Sequence, residues 1–416
     1  MDVEIITIGD ELLIGQVVDT NSAWMAEHLN MNGLNVYQIT SISDNRNHIF
    51  DAIDTALERA EIILLTGGLG PTKDDITKNT LCEYFDTHLI MNDDVLAKIK
   101  KFLSSRKSAL NELNRQQALV PENCKIIQNE NGTAPALWFE KNNKVIVSMP
   151  GVPFEMKQIM SDKIIPALKN RFKTKNIIHK TVLVAGLFEA QLAEILHDWE
   201  EQLPANLKLA YLPSPGRIRL RFSIVGENRE DLLKIIDNEI IKLKAIIPDS
   251  VFGFEEDTLE KVVGDLLKKK KLSLSTAESC TGGNIAHLLT SVAGSSEYFV
   301  GSVVAYSNNI KENILKVSRK KIEKYGAVSQ EVVEEMAVGI RKLFDTDYAI
   351  ATSGVAGPGG GTEEKPVGTV WIAISEGNRT ISKKYLFGKN RERNISKTSS
   401  TALNLLRNML LKRIET

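Results

Sequence analysis

The first part of the chain alternates short apolar runs with segments whose apolar side chains recur at helical spacing. Residues 3–8, 36–42 and 62–65 have the composition of strands, and the third run is apolar throughout, which is typical of a strand covered on both faces. The segment after Thr20 places Met25 on an inward helical face. Alternating strands and helices of this kind predict a parallel sheet with helices on both sides.

Polar residues follow three of these strands. They are Gly9-Asp10-Glu11, then Asp44, which can also cap the next helix, and then a segment holding Gly67, Gly68, Gly70, Thr72, Asp74 and Asp75. Because ligands bind beyond the carboxyl ends of parallel strands, we expect the three clusters to form one site. Glycine-rich backbone can make an anion nest, and carboxylates can hold a hard cation beside a phosphate. The alternative is a surface loop with solvated acids.

Two features give this part of the chain a family resemblance. One is the Gly-Gly-x-Gly-x-Thr-x-x-Asp pattern of residues 67–75, and the other is the aspartate after the second strand. With them, residues 1–170 resemble the molybdopterin-binding fold of molybdenum-cofactor synthesis proteins. The resemblance implies that Asp44 and Asp75 are the functional acids. Leu69 stands where the cofactor-synthesis members usually have threonine.

Residues 171–252 are predicted to form a smaller unit. The patterns indicate a strand, a helix, a hairpin whose turn is at 213–216, and a second helix. This order predicts a small α+β, KH-like module. Arg217, Arg219 and Arg221 share one strand face without interleaved aromatic residues, so we favour a solvated face or an inter-domain contact over RNA binding.

The candidate catalytic segment of residues 253–416 is a strand-to-helix turn. Residues 272–275 alternate as a half-buried strand does, and residues 285–292 have helical spacing, so Ser279 lies at the turn between them. A helix that begins there directs unpaired N–H groups and the positive end of its dipole at the turn. The plainer interpretation is that Ser279 is only a helix N-cap.

A serine hydroxyl needs an adjacent base to act as a nucleophile. His287 is the one histidine of this region, and it falls within the helix after Ser279, directed away from the turn. Lys311 follows the next predicted strand, and because a desolvated lysine can accept a proton, we predict a Ser–Lys pair. Tyr306, at the same strand end, can relay a proton or stack on a planar ring. Cys280 is the rival nucleophile, although it should face the core.

Four motifs give the last part of the chain a specific resemblance. They are residues 276–283 (TAESCTGG), 306–311 (YSNNIK), 326–329 (GAVS), and 354–358 with 365–371 (GVAGP and KPVGTVW). In order and spacing they resemble the nicotinamide-nucleotide amidase domain of the competence/damage-inducible CinA family. Full-length members also carry the front domain and the linking module, so the resemblance covers the whole chain.

The resemblance implies two activities. The rear domain would hydrolyse the carboxamide of nicotinamide mononucleotide to nicotinic acid mononucleotide and ammonia, with Ser279, Lys311 and Tyr306 as catalytic residues and no cofactor. The front domain would be a metal-dependent ADP-ribose pyrophosphatase with a divalent ion near Asp44 and Asp75. Family members are homodimers, so we expect a homodimer here.

Further site residues are expected from the same motifs. The substrate-binding residues are expected to be Glu278, Thr281, Gly282, Gly283, Asn308, Gly354, Ala356 and Gly357 in the rear domain, and Asp10, Glu11, Gly67, Gly68, Gly70 and Thr72 in the front domain. We expect backbone N–H groups near Thr281 and Gly282 to hold the oxyanion, and one glycine-rich loop to hold the phosphate. One departure from the family pattern is Ala136, at the last position of a loop that usually reads Gly-Thr-Ala-Pro-Gly. If that position needs a positive φ, the pyrophosphatase site is compromised.

The charge balance limits the functions open to the chain. It has 416 residues, with 52 basic against 53 acidic, so two or three domains are expected and no net field favours nucleic acid or a membrane surface. No apolar run is long enough to span a bilayer, and the acidic N-terminus is no secretory signal. The three cysteines are irregularly spaced and indicate neither a disulfide framework nor a zinc site.

We therefore expect a cytoplasmic α/β multidomain protein that binds small pyridine nucleotides, with domains at 1–170, 171–252 and 253–416. Two alternatives remain open. One is a front domain that binds a nucleotide without turning it over, and the other is a chain that is wholly a non-enzymatic competence or recombination accessory.

Overall fold

The computed structural model describes residues 1–214 and 216–411. The chain divides into two compact units: one holds residues 1–178 with 225–229, and the other holds residues 179–224 and the chain from residue 230 onward. The middle module is therefore grouped mainly with the rear domain.

The front domain has eight strands. They are β1 (Asp2–Ile8), β2 (Asn35–Ile42), β3 (Ile62–Thr66), β4 (Leu89–Met91), β5 (Leu119–Pro121), β6 (Lys125–Ile127), β7 (Ala136–Lys141) and β8 (Lys144–Met149). Six of them form one sheet in the order β2-β1-β3-β8-β7-β6, and β4 pairs with β5 separately. The first four strands of that order are parallel, as predicted. The prediction of a parallel sheet is wrong for β7 and β6, which are antiparallel. A tight turn joins β7 to β8, and the loop at 128–135 between β6 and β7 is too short for a parallel crossover.

Helices cover both faces of this sheet. They are α1 (Asp10–Leu13), α2 (Thr20–Met31), α3 (Arg46–Arg59), α4 (Thr77–Tyr84), α5 (Asp93–Ser105), α6 (Glu112–Gln116), α7 (Pro153–Ile159) and α8 (Ile165–Arg171), with a π-helical turn at Met160–Ile164. Successive residues of a strand point to opposite faces. Accordingly Ile5 packs in one core with Met25 of α2, and Ile6 packs in the other with Ile53 of α3.

The start of α3 corrects one prediction. Asn45, not Asp44, is the N-cap, and its side chain accepts hydrogen bonds from the N–H groups of Asn47 and His48. The Asp44 carboxylate is therefore left available at the end of β2.

The middle module follows the predicted order and adds a fourth strand. Its elements are β9 (Asn176–Val184), α9 (Glu189–Glu200), β10 (Leu207–Ser214), β11 (Arg217–Gly226), α10 (Arg229–Ile246) and β12 (Val251–Phe254), with sheet order β10-β11-β9-β12. The hairpin of β10 and β11 is confirmed. Pro215, in its predicted turn, lies outside the described residues.

The rear domain is built on a five-stranded sheet. Its elements are α11 (Leu259–Lys270), β13 (Leu274–Glu278), α12 (Asn284–Thr290), β14 (Phe299–Val304), α13 (Asn308–Asn313), α14 (Arg319–Tyr325), α15 (Gln330–Phe344), β15 (Tyr348–Gly354), β16 (Thr369–Glu376), β17 (Arg379–Leu386) and α16 (Arg391–Leu410). The order is β14-β13-β15-β16-β17, with the first three strands parallel. Because β13 lies between two parallel neighbours, its carboxyl end lies centrally at the sheet edge where ligands bind.

A buried guanidinium connects the last helix to the segment before the rear domain. Arg407 of α16 is 1% exposed and donates to the carbonyl oxygens of Val251, at 2.7 Å, and Asp249. The two carbonyls stabilise a charge that burial alone would strongly disfavour. No helix in residues 1–214 and 216–411 is long and apolar enough to cross a bilayer.

Candidate functional sites

The turn after β13 brings the predicted serine and lysine together. The N–H of Ser279 donates to the carbonyl of Thr352 at 3.0 Å, and the carbonyl of Glu278 accepts from the N–H of Ala305 at 2.8 Å. These bonds extend the parallel ladder past β13 on both sides. The segment between β14 and α13 is thereby placed beside the serine.

Lys311 is almost completely buried, at 1% exposure, on the short helix α13. Its Nζ atom lies 3.3 Å from Oγ of Ser279, 2.7 Å from the carbonyl oxygen of Ala305 and 3.4 Å from that of Tyr306. Burial lowers the pKa of the Lys311 ammonium.

The three oxygen atoms around Nζ can also accommodate a neutral amine. A neutral lysine has two N–H bonds and one lone pair. The carbonyls of Ala305 and Tyr306 can accept the two N–H bonds, because a carbonyl oxygen cannot donate. The lone pair is then left for the hydroxyl proton of Ser279, and the arrangement suits a general base.

Glu278 does not have the position expected of a substrate-binding residue. Its side chain is fully buried, and its carboxylate accepts hydrogen bonds from the N–H groups of Gly283 at 3.1 Å, Ile285 at 3.0 Å and Ala286 at 2.8 Å. This corrects the expectation, since the carboxylate caps the first turn of α12 and faces no solvent.

The cap also changes which backbone N–H groups are available to an oxyanion. The first N–H groups of α12 are occupied by Glu278, and the N–H of Gly282 donates to the carbonyl of Ser279 at 3.2 Å. Within residues 1–214 and 216–411, the N–H groups of Cys280 and Thr281 have no protein acceptor. The expectation is therefore wrong for Gly282 and leaves Thr281, joined by Cys280.

Two side chains of the same turn point inward. Cys280 lies in the rear core, and burial raises the pKa of its thiol to about 12. Thr281 is 3% exposed, and its hydroxyl lies 2.8 Å from that of Thr352. A buried, protonated thiol is a poor nucleophile, which favours Ser279.

Tyr306 and Asn308 lie on the open side of the site. Tyr306 is 64% exposed, and Asn308 is exposed at the first residue of α13. The Tyr306 hydroxyl accepts a hydrogen bond of 3.2 Å from Arg391, whose guanidinium also donates to the carbonyl of Gly357 at 2.8 Å. The sequence analysis missed Arg391, because only the fold brings the start of α16 to this strand end.

The start of the predicted glycine-rich loop after β15 is closely packed. A methyl group at Gly354 would lie 2.7 Å from Cγ2 of Val370. The buried Ala356 offers its carbonyl to the side chain of Asn394 at 2.9 Å. The loop backbone is thereby fixed beside Arg391.

A second candidate site is a cleft of about 400 Å³ in the front domain. It lies beyond the carboxyl ends of β1, β2, β3 and β8. Its lining includes Glu11, Asp44, Gly67, Gly68, Gly70, Asp74, Asp75 and Glu155. Asp10 and Thr72 are exposed and do not line it, but each donates to a lining acid: the N–H of Asp10 to Asp44 at 3.2 Å, and that of Thr72 to Asp75 at 2.9 Å.

The acids of this cleft repel one another. Burial and the nearby charges of Asp10, Glu11 and Asp74 raise the pKa of Asp44, against the hydrogen bond from the Asp10 N–H. A divalent cation would relieve that repulsion, so the chemistry of Asp44 and Asp75 fits one. No three His, Cys, Asp or Glu side chains of the described residues form a ready metal cage. These acids therefore suit a hard divalent ion that keeps water and phosphate oxygens as its remaining ligands.

Backbone conformation removes the concern about Ala136. Gly67 and Gly68 have φ of 116° and 65°, which favour glycine, whereas Ala136 is not among the residues with positive φ. Ala136 is the fully buried first residue of β7, paired with Ile127. Alanine therefore fits this position without backbone strain.

Comparisons with known proteins agree with this architecture. Three family models match successive parts of the chain: "Probable molybdopterin binding domain" at residues 4–170, "Damage-inducible protein CinA KH domain" at 179–253 and "CinA C-terminal domain" at 256–410. The front domain thus has the molybdopterin-binding fold and the middle module is KH-like.

Full-length relatives match over nearly the whole chain. A CinA-like protein of Cytophaga hutchinsonii is 49% identical over 98% of this chain and 97% of its own. A CinA-like protein of Flavobacterium psychrophilum is 47% identical over 99% of each. The solved structure of competence damage-inducible protein A from Klebsiella pneumoniae shares 38% identity, covers 37% of this chain and 95% of its own, and has a TM-score of 0.36. The chain therefore belongs to the CinA family of competence/damage-inducible proteins.

Proposed function

We propose that the rear domain hydrolyses the carboxamide of nicotinamide mononucleotide to nicotinic acid mononucleotide and ammonia. The observation that carries this proposal is the buried Lys311 amine, 3.3 Å from the hydroxyl of Ser279. The four motifs that resemble the amidase domain give the substrate class.

The first step forms an acyl-enzyme. Lys311 takes the hydroxyl proton of Ser279, and Oγ attacks the amide carbon, so that a C–O bond forms and the carbonyl oxygen becomes an oxyanion. The free N–H groups of Cys280 and Thr281 are the donors for that oxyanion, as the N–H after the nucleophile is in other serine hydrolases. The C–N bond then breaks, and the nitrogen leaves as ammonia with the proton that Lys311 took.

The second step releases the acid. Neutral Lys311 takes a proton from water, the oxygen attacks the acyl carbon, and the bond to Ser279 breaks as its oxygen regains a proton. Tyr306 remains a second candidate for protonating the leaving nitrogen, because its hydroxyl lies at the open side of the same strand end.

The nucleotide phosphate needs a cationic partner, and Arg391 supplies one. Its guanidinium is held between the Tyr306 hydroxyl and the Gly357 carbonyl. Arginine binds phosphate through several N–H groups at once. Of the two glycine-rich loops of the rear domain, we therefore assign the one after β15 to the phosphate.

Product analysis tests the amidase. Purified full-length protein is incubated with nicotinamide mononucleotide, and ammonia and the acid nucleotide are measured. Ser279→Ala should abolish both products, whereas Ser291→Ala, an exposed serine at the end of α12, should leave the rate unchanged. Full activity in Ser279→Ala would refute the assignment.

For the front domain we propose metal-dependent cleavage of ADP-ribose to AMP and ribose 5-phosphate. The supporting observation is the mutual repulsion of the acids around Asp44, in a cleft large enough for a diphosphate. A bound divalent ion would neutralise the phosphates there, while Asp44 and Asp75 would hold it. Turnover should require a divalent ion and fall in Asp75→Asn; binding without turnover under every ion would favour a silent nucleotide-binding domain.

The resemblance also supports a homodimer. The near-neutral charge of the chain argues against nucleic-acid partners, and its three irregularly spaced cysteines favour a reducing cytoplasm. Sedimentation velocity of the full chain should give twice the monomer mass. Salt-sensitive binding of DNA by the pure protein would instead favour the accessory role.

A further inference from the structure

Glu155 differs from every other acid that lines the front cleft. It lies in the first turn of α7, after β8, whereas Glu11, Asp44 and Asp75 follow β1, β2 and β3. The sheet order puts β2 and β8 three strand spacings apart, or about 14 Å. Glu155 therefore lies toward the opposite end of the cleft from Asp44, with space for a diphosphate between them.

A buried amide fixes the Glu155 carboxylate. Asn129, 3% exposed, donates through Nδ2 to Oε2 of Glu155 at 2.6 Å and to the carbonyl of Ala134 at 2.9 Å. Gly132 leaves room for it, since a methyl group there would lie 2.0 Å from the same oxygen. In the described part of the chain Oε1 accepts no hydrogen bond, so one oxygen is held and the other is available to the cleft.

The charges around Glu155 also differ from those around Asp44. Burial raises the pKa of Glu155, and the hydrogen bond from Asn129 and the charge of Arg106 oppose that increase. Asp44 has acidic neighbours, which suits a cation, whereas Glu155 is desolvated and held by a neutral amide, which suits proton transfer.

We propose that Glu155 is the general base of the front cleft, taking a proton from the water that attacks a pyrophosphate. The inference rests on the pyrophosphatase proposed above. An O–H bond of the water breaks and its proton passes to Oε1. A new O–P bond forms, and the bridging P–O bond breaks with its electron pair leaving on the departing phosphate monoester.

The test uses the full-length protein with ADP-ribose and the divalent ion that supports turnover. Glu155→Gln retains an oxygen for Asn129 but cannot accept the proton, so kcat should fall by about 10²- to 10⁴-fold. ADP-ribose affinity, measured by calorimetry without a divalent ion, should be unchanged. In the wild type the rate should rise with pH as Glu155 ionises, above the usual range for glutamate, and Glu155→Gln should lose this limb.

Two further variants separate catalysis from structure. Glu155→Asp keeps a carboxylate and should recover part of the rate. Glu58→Gln, an exposed glutamate of α3 that does not line the cleft, should behave as the wild type. A wild-type rate in Glu155→Gln, or equal losses of affinity and kcat, would refute the role of Glu155 and leave the pyrophosphatase proposal standing. Absence of turnover in the wild type would refute the pyrophosphatase and this inference together.

Discussion

The side-chain nitrogen of Lys311 lies nearer to the carbonyl oxygen of Ala305, at 2.7 Å, than to Oγ of Ser279, at 3.3 Å. The carbonyl therefore anchors the amine, and the hydroxyl is the group toward which its lone pair is free to act. A base anchored in this way has to be neutral before it can work.

The first prediction concerns pH. Only neutral Lys311 can take the serine proton, so the amidase rate should rise with pH through the Lys311 pKa. Burial lowers that pKa, so the midpoint should lie below the usual range for lysine. The check is kcat/KM for ammonia release across pH. Lys320→Arg, an exposed site on α14, should keep the profile, whereas Lys311→Arg should lose about 10²- to 10⁴-fold in rate.

The second prediction concerns the cap on α12. In Glu278→Gln one acceptor oxygen becomes an amide donor, so at least one buried N–H of Gly283, Ile285 or Ala286 loses its partner. This should lower the free energy of unfolding by about 1–3 kcal/mol. Denaturant titration measures the change. Glu297→Gln, which breaks an exposed ion pair with Lys268, should cost about 1 kcal/mol or less; equal losses in the two variants would contradict the role of the cap.

The third prediction separates the two nucleophiles. With a pKa of about 12, the Cys280 thiol is ionised to about one part in ten thousand at pH 8. Cys280→Ala should therefore retain ammonia release, and iodoacetamide should label Cys280 slowly. Loss of activity in Cys280→Ala, with the fold intact by circular dichroism, would make the thiol the nucleophile.

The fourth prediction concerns Arg391. Charge-assisted hydrogen bonds contribute about 1.5–3 kcal/mol, so Arg391→Ala should raise KM for nicotinamide mononucleotide by about 10- to 100-fold. Arg393→Ala removes an exposed neighbouring arginine and should change KM little. The test measures KM and kcat separately for each variant, and also the affinity for the nucleoside that lacks the phosphate. A similar loss for that nucleoside would exclude a phosphate contact.

Local sequence patterns predicted where helices and strands lie better than they predicted how the strands pair. The Ser279 turn was predictable because strand alternation and helical spacing adjoin it, and β3 was predictable because both its faces are apolar. The antiparallel direction of β6 and β7 was not, since apolar runs do not encode strand direction.

Parts of the site could not be predicted from the sequence because they depend on contacts between distant segments. Glu278 precedes Ser279 in a polar motif, which suggested a ligand, and only the packing of α12 onto β13 turns its carboxylate inward. Arg391 belongs to a charged helix start like many others. Its contacts with Tyr306 and Gly357 exist because α16 returns across the sheet.

The guanidinium of Arg407 has a consequence for any attempt to isolate the rear domain. A fragment cut after β12 would remove the carbonyl oxygens of Asp249 and Val251 and open the site of a formerly enclosed positive charge. Such a fragment should express poorly unless it begins before residue 249 or carries a neutral side chain at position 407.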